Sequence, residues 1–247
     1  MPGRSDRGRA KPMKHRVKST ILALAGALLL GNAPLEDAQV LMQQGKEAEA
    51  LALLEAAAAD GDAAVLANLA WLYDEGHGTP KDPARAAELY REAAAKGQGF
   101  ARWRLGVMID EGLTPGDLSE AVLLFKQAVY QGNIAAMTSL AVMYATGRGV
   151  EQDYEQARMH YEMAARLGSP HAVQGLGVLY ARGEGVAQDL DEAAAYWLVA
   201  DQMGNEQAAS YLRAISAEFD ADDRARVIAR AKALSGELGL MQEESAD

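Results

Sequence analysis

The side chains best suited to chemistry in this 247-residue chain are scattered rather than gathered. There is no cysteine, which removes disulfides, thiolate zinc sites and thiol nucleophiles together. The four histidines are His15, His77, His160 and His171, and no two stand at metal-ligand spacing. His15 falls in the basic N-terminal segment, and the other three read as surface histidines. No serine is followed three residues later by lysine, and neither G-x-S-x-G nor H-E-x-x-H occurs. Asp74-Glu75 and Asp110-Glu111 could serve as acid and base. At helix ends, a solvated charge pair is the plainer reading. Gly147-Arg148-Gly149 and Gly183-Glu184-Gly185 have the look of a phosphate-cradling loop, but each follows a helical pattern rather than a strand. They are turns. No catalytic residue, metal or cofactor is predicted, and the chain reads as a non-enzyme.

What these residues sit on is a repeat. Val65–Gly99, Ala101–Ala135, Ala136–Pro170 and Ala172–Gln207 align with a period of 36 residues, and the second copy is one residue short in its Gly112–Asp117 turn. In each copy an apolar stripe at spacing 0, 4 and 8 marks one face of a helix, as in Ala136, Leu140, Tyr144 and in Ala172, Leu176, Tyr180. Glycines then break the helix. Asp82, Asp117, Asp153 and Asp189 follow where a side chain would cap a second helix. Glu120, Gln156 and Glu192 stand three residues later, as in a capping box. The second helix has its own stripe, Ala86, Tyr90, Ala93, Ala94 in the first copy and Ala157, Tyr161, Ala164, Ala165 in the third. Only 6% of residues are aromatic. Small residues with one ring per unit suit close helix contacts rather than a bulky central core. No helix pair buries both its faces, so the copies must stack.

The pattern A-x3-L-G-x2-Y-x2-G-x-G-V-x2-D-x3-A-x3-[WY]-x2-A-A-x2-G resembles the Sel-one-like repeat family, a branch of the tetratricopeptide superfamily. It departs from that family at Ile109, Thr79 and Asp201 and in the short turn at Leu113–Asp117. The resemblance implies an all-α, right-handed α-solenoid of antiparallel helix pairs. It also implies a non-catalytic scaffold, adaptor or regulator of the bacterial cell envelope that binds a protein or peptide. The alternative from the same family is a cell-wall-associated or β-lactam-binding hydrolase. The members with that activity are rich in disulfides, which this chain cannot form.

The family's first helices line a concave groove. Carried over position by position, the lining is Ala67, Trp71 and Asp74, then Phe100, Trp103, Val107 and Asp110, then Thr138 and Val142, then His171, Gln174 and Val178. The strongest candidates lie in the first two copies, where Trp71, Phe100, Trp103 and Val107 are rimmed by Asp74, Glu75, Asp110 and Glu111. Aromatics inside a charged rim are what an interaction hot spot needs. The competing reading packs Trp71 and Trp103 between neighbouring first helices.

The organisation predicted is a leader at 1–33, a degenerate helix pair at 34–64, repeats at 65–100, 101–135, 136–171 and 172–207, capping helices at 208–235 and a disordered acidic tail at 236–247. Met1–Lys18 holds seven Lys or Arg against one acid, and Ile21–Leu30 is apolar and too short to span a bilayer. With Gly31 and Ala33 behind it, this is a secretory signal pattern whose start is Met1 or Met13, and it predicts a periplasmic protein. The other reading is an uncleaved N-terminus resting on a membrane. Loss of residues 1–33 leaves 17 basic against 34 acidic residues, a charge near −17. Such a body repels nucleic acid and anionic membrane. It favours a basic partner, although solubility alone also explains it.

Overall fold

The computed structural model describes residues 33–217 and 219–240. The candidate leader up to Asn32 and the tail residues 241–247 lie outside the described residues. Within them are a short 3-10 turn at Ala58–Asp60, no strand and twelve α-helices. They are α1 (Ala33–Gln43), α2 (Glu47–Ala57), α3 (Ala63–Glu75), α4 (Pro83–Ala95), α5 (Gly99–Asp110), α6 (Leu118–Tyr130), α7 (Ile134–Thr146), α8 (Tyr154–Arg166), α9 (Pro170–Arg182), α10 (Leu190–Gln202), α11 (Glu206–Ser216) and α12 (Ala221–Glu237).

Short connections fold α1 to α10 into five consecutive pairs, and each second helix also packs on the first helix of the next pair. The apolar interior is therefore a ribbon. Its two halves meet in α7, where Leu140 and Met143 belong to one and Met137 and Ala141 to the other. Tyr90, Phe125, Tyr161 and Trp197 are buried at the same position of four second helices. Each contributes roughly 1.5–3 kcal/mol by leaving water. Phe125 and Trp197 lie so close over Gly106 and Gly177 that a methyl group there would come within 2.6 and 2.5 Å of them.

Capping follows the expected aspartates at α4, α8 and α10, where Asp82, Asp153 and Asp189 accept from the amides of Arg85, Gln156 and Glu192 at 2.9–3.0 Å. Two expectations need correction. Asp117 caps nothing with its side chain, and its backbone carbonyl takes the Glu120 amide instead. Gln156 and Glu192 do not complete capping boxes at α8 and α10. Among the described residues that motif is recorded at α12, between Asp220 and Asp223. The short second turn is held from another direction. Arg91 of α4 donates to Thr114 Oγ1 at 3.2 Å and to the Pro115 carbonyl, and Thr114 is buried.

The expected disordered tail does not begin at 236. α12 continues through Glu237, which accepts from Arg230 at 2.6 Å, and Leu238 is buried against the core. The acidic composition of 236–247 hid the apolar anchors Leu238 and Leu240.

The second glycine of each G-x-G turn has a steric task. Gly149 has φ +68°, and a Cβ there would stand 2.4 Å from the Leu118 backbone at the start of α6. A Cβ at Gly78 would meet the Glu47 backbone at 2.6 Å, and one at Gly185 would meet the Tyr154 Cβ at 2.6 Å. Gly132 has φ +79° but nothing within 4 Å. Gly132→Ala should therefore cost only the left-handed backbone penalty, about 1–2 kcal/mol. Gly149→Ala should cost clearly more, because the clash is with backbone that cannot swing away. Urea unfolding of the two variants measures the difference.

Candidate functional site

Successive first helices approach one another, α5 touching α7 and α7 touching α9, while the second helices stand farther apart. The first helices α3, α5, α7 and α9 thus share one face of the stack, its inner face. Trp71, Val107, Val142 and Val178 occupy one shared position of these four helices; Val142 is exposed and the other three are partly exposed. Trp103, Thr138 and Gln174 form a second partly exposed row. Ala67, the first member of that row and an expected lining residue, is instead completely buried. It is too short to reach past its neighbours.

The aromatic residues do not form one patch. Phe100 lies between Trp103 and Tyr90, with ring centroids 5.7 and 6.1 Å away. Trp71 packs on His77 at 4.7 Å, and His77 Nδ1 is 3.1 Å from Glu47 Oε1. Trp103 donates its indole N–H to Ser139 Oγ at 3.1 Å, and the Arg104 guanidinium lies 5.6 Å from its ring centre. Both tryptophans are packed against the core while keeping part of their surface open.

The carboxylates differ most from the sequence reading. Asp74 is not a solvated rim charge: it is only 8% exposed and pairs with Arg104 of the next first helix. Arg104 Nε donates to Asp74 Oδ2 at 3.1 Å, and the Tyr90 hydroxyl is 3.5 Å from the same oxygen. Asp74 continues the buried line of Ala67 and Ala70, which forces it inward. Burial works to lower Arg104, but its bonds and charge contact with Asp74 outweigh this and hold the guanidinium above its ordinary value. Tyr90 is pushed far up by burial and then by Asp74. Asp110 is likewise engaged, with Arg148 Nη2 2.7 Å from its Oδ1 and 3.1 Å from its carbonyl oxygen. Glu75 is exposed and 3.5 Å from Lys81, and Glu111 is exposed. The rim thus carries less free negative charge than its sequence suggests.

Arg104, Arg148 and Ser139 were not read as site residues from the sequence, because each acts across a repeat boundary, and Tyr90 was read only as part of an apolar stripe. His160 is a further correction. It is buried, not a surface histidine, and stacks on Tyr144 at 5.8 Å and 6°. The signal was present in the alignment, where the other copies have Leu89, Leu124 and Tyr196 at that position. His171 is exposed and His77 partly so. No group of acids and histidines among the described residues could hold a metal ion.

The Sel1 repeat description matches residues 63–98, 99–133, 134–169 and 170–204. The chain belongs to the Sel1 repeat family. Each matched segment starts on the first residue of α3, α5, α7 or α9, two residues upstream of the bounds read from the stripes. A Sel1 repeat protein from Oxalobacter formigenes is similar at 27% identity and TM-score 0.68, over 85% of this chain and 94% of that one. The protective antigen c5321 of uropathogenic Escherichia coli, which has the same repeat fold, is similar at 30% identity and TM-score 0.61, over 76% of this chain and 42% of that one. An immunity protein from Pseudomonas aeruginosa shares the fold at 21% identity and TM-score 0.52, over 83% and 81% of the two chains. No curated protein matches. The Sel1 repeat is generally a protein–protein interaction scaffold and typically non-catalytic. No helix among the described residues is long and apolar enough to cross a membrane.

The Asp74–Arg104 pair should behave as a buried ion pair. Asp74→Ala strands a guanidinium and should cost about 3–5 kcal/mol, whereas replacing both partners with apolar residues should cost much less. Chemical denaturation of the single and double variants checks this. His160 gives a pH prediction. Burial, then the nearby Lys126 charge, lowers its pKa below 6.5 in the folded chain. Its contribution is therefore complete above 6.5 and is lost as pH falls towards the folded value. The Tm of the native chain should drop more steeply from pH 7 to 5 than that of His160→Leu.

Proposed function

We propose that this protein is a non-catalytic adaptor or regulator of the bacterial cell envelope, exported by its N-terminal leader, that holds a protein or peptide partner against its first-helix face. The observation that carries this reading is the row Trp71, Val107, Val142 and Val178. A repeat protein with no use for its inner face has no reason to leave an apolar side chain open there in four successive units. Trp71 and Trp103 add large apolar area already held in place by His77 and by Ser139. Rigid aromatic surface costs little entropy when it is covered. With Asp74 and Asp110 paired internally, a preference for basic partners rests on Glu75, Glu111 and the overall acidity.

Crosslinking in intact cells tests the surface and the compartment together. The native chain should be recovered without its first thirty or so residues and crosslinked to a defined partner. Val142→Glu, which places a charge at an exposed groove position, should remove that partner with little change in stability. Met163→Glu, on the opposite side of the stack, should leave it in place. A partner kept by the Val142 variant and lost by the Met163 variant would move the site to the outer face. A chain retaining Met1 or Met13 in the cytosol would remove the envelope role.

A further inference from the structure

The last two helices break the rule of the preceding ones. α3, α5, α7 and α9 are each covered along their length by the helix that follows, but α12 scarcely meets α11. It lies along α10 instead, held where Arg226 reaches Asp191 at 3.1 Å and Arg230 grips Glu192 at 2.7 and 2.8 Å. The consequence shows at matching positions. Leu140 and Leu176 are each 1% exposed, while Leu212 at the same position of α11 is partly open. Met143 and Leu179, also at 1%, correspond to Ile215, again partly open. Between α11 and α12 is a cleft of about 320 Å³ whose lining includes Leu198 from α10, Phe219 and Ile228. Ile228 is 61% exposed.

We infer that this cleft is a second docking site, separate from the first-helix face, and that it receives an amphipathic helix of a partner bearing carboxylates beside its apolar stripe. A helix is the occupant because the uncovered face of α11 is the one on which a helix lies in every earlier unit. The carboxylates follow from Arg213 and Arg224, which line the cleft and have no carboxylate within ion-pair distance among the described residues. In a chain of net charge −11, two such cations beside open apolar surface form a local complement to an acidic partner. Arg213 also selects against the ordinary neighbour. It stands where Gly106 and Gly177 admit the ring of a second helix, so a ring cannot approach there, whereas a carboxylate can.

The test is calorimetric titration of the full chain with a helical peptide of about fourteen residues made of Leu, Ala and Glu, patterned with one apolar face. The same peptide with Lys in place of Glu is the comparison. The Glu peptide is expected to bind and the Lys peptide not to. Arg213→Glu with Arg224→Glu should weaken the Glu peptide at least about tenfold and admit the Lys peptide, with the thermal melt unchanged. Val142→Glu should leave binding as it was, which separates this site from the groove. Equal binding of both peptides, or loss of binding in Val142→Glu, overturns the proposal. So does a dimer in light scattering that Ile228→Glu dissociates, since the occupant is then a second copy. Binding that appears only after removal of residues 241–247 also overturns it, by assigning the cleft to the chain's own tail.

Discussion

A pair of thirteen-residue helices has apolar side chains on both flanks and can cover only those between its two members. The rest must be taken out of water by another pair. That requirement dictates the composition, because neighbouring pairs must come close enough to exclude water along a whole helix. Alanine at the contact positions permits the approach, and one buried ring per second helix fills the space left over. The interior consequently runs from α1 to α12 as two clusters that meet in α7, without a single centre. Stability in such a stack is a sum over local interfaces, so each seam matters separately.

The seams carry the specificity. Gly149 lets a turn rest on the start of the preceding second helix, and Arg91 does the equivalent task where the second turn is too short for that contact. Asp74 and Arg104 join the first helices of two units through a pair shielded from water. A buried pair of this kind adds little net stability, yet it penalises any register that separates its members. It also sets the inner face, since Arg104 supports the Trp103 ring while Asp74 is withdrawn from the rim. The first-helix face is thus shaped by contacts between units and cannot be assigned to any single repeat.

The two ends solve the stacking problem differently. At the N-terminal end, α1 and α2 form a pair of their own, with α2 packing on α3. At the C-terminal end the chain adds α11 and then sends α12 back along α10, tied by arginines to the acidic first turn of that helix. This closes α10 but not α11. A solenoid that ended only in a solvated cap would put polar residues at Leu212 and Ile228. Keeping apolar ones there gives this end of the stack a surface as distinctive as the first-helix face.

The repeat, its helix pairs, the caps at Asp82, Asp153 and Asp189 and the family were legible in the sequence, because they depend on periodicity within about forty residues. Ala157, Tyr161, Ala164 and Ala165 declare a buried face wherever their helix finally packs. The positions of Trp71, Val107, Val142 and Val178 in one row also follow from the repeat alone. What the sequence did not reveal depends on contacts one repeat away. Asp74 read as a surface acid because nothing near it in the chain neutralises it, while Arg104 lies thirty residues on. His160 read as a surface histidine by type, although its counterparts Leu89, Leu124 and Tyr196 belong to a packed position. The course of α12 is the clearest case. Its amphipathic pattern fits any apolar neighbour equally well, and it is the burial of Val227, Ala231 and Leu234, with the ion pairs at Asp191 and Glu192, that seats it on α10 and leaves α11 open. Periodicity specifies which face of a helix is buried, and tertiary packing decides what buries it.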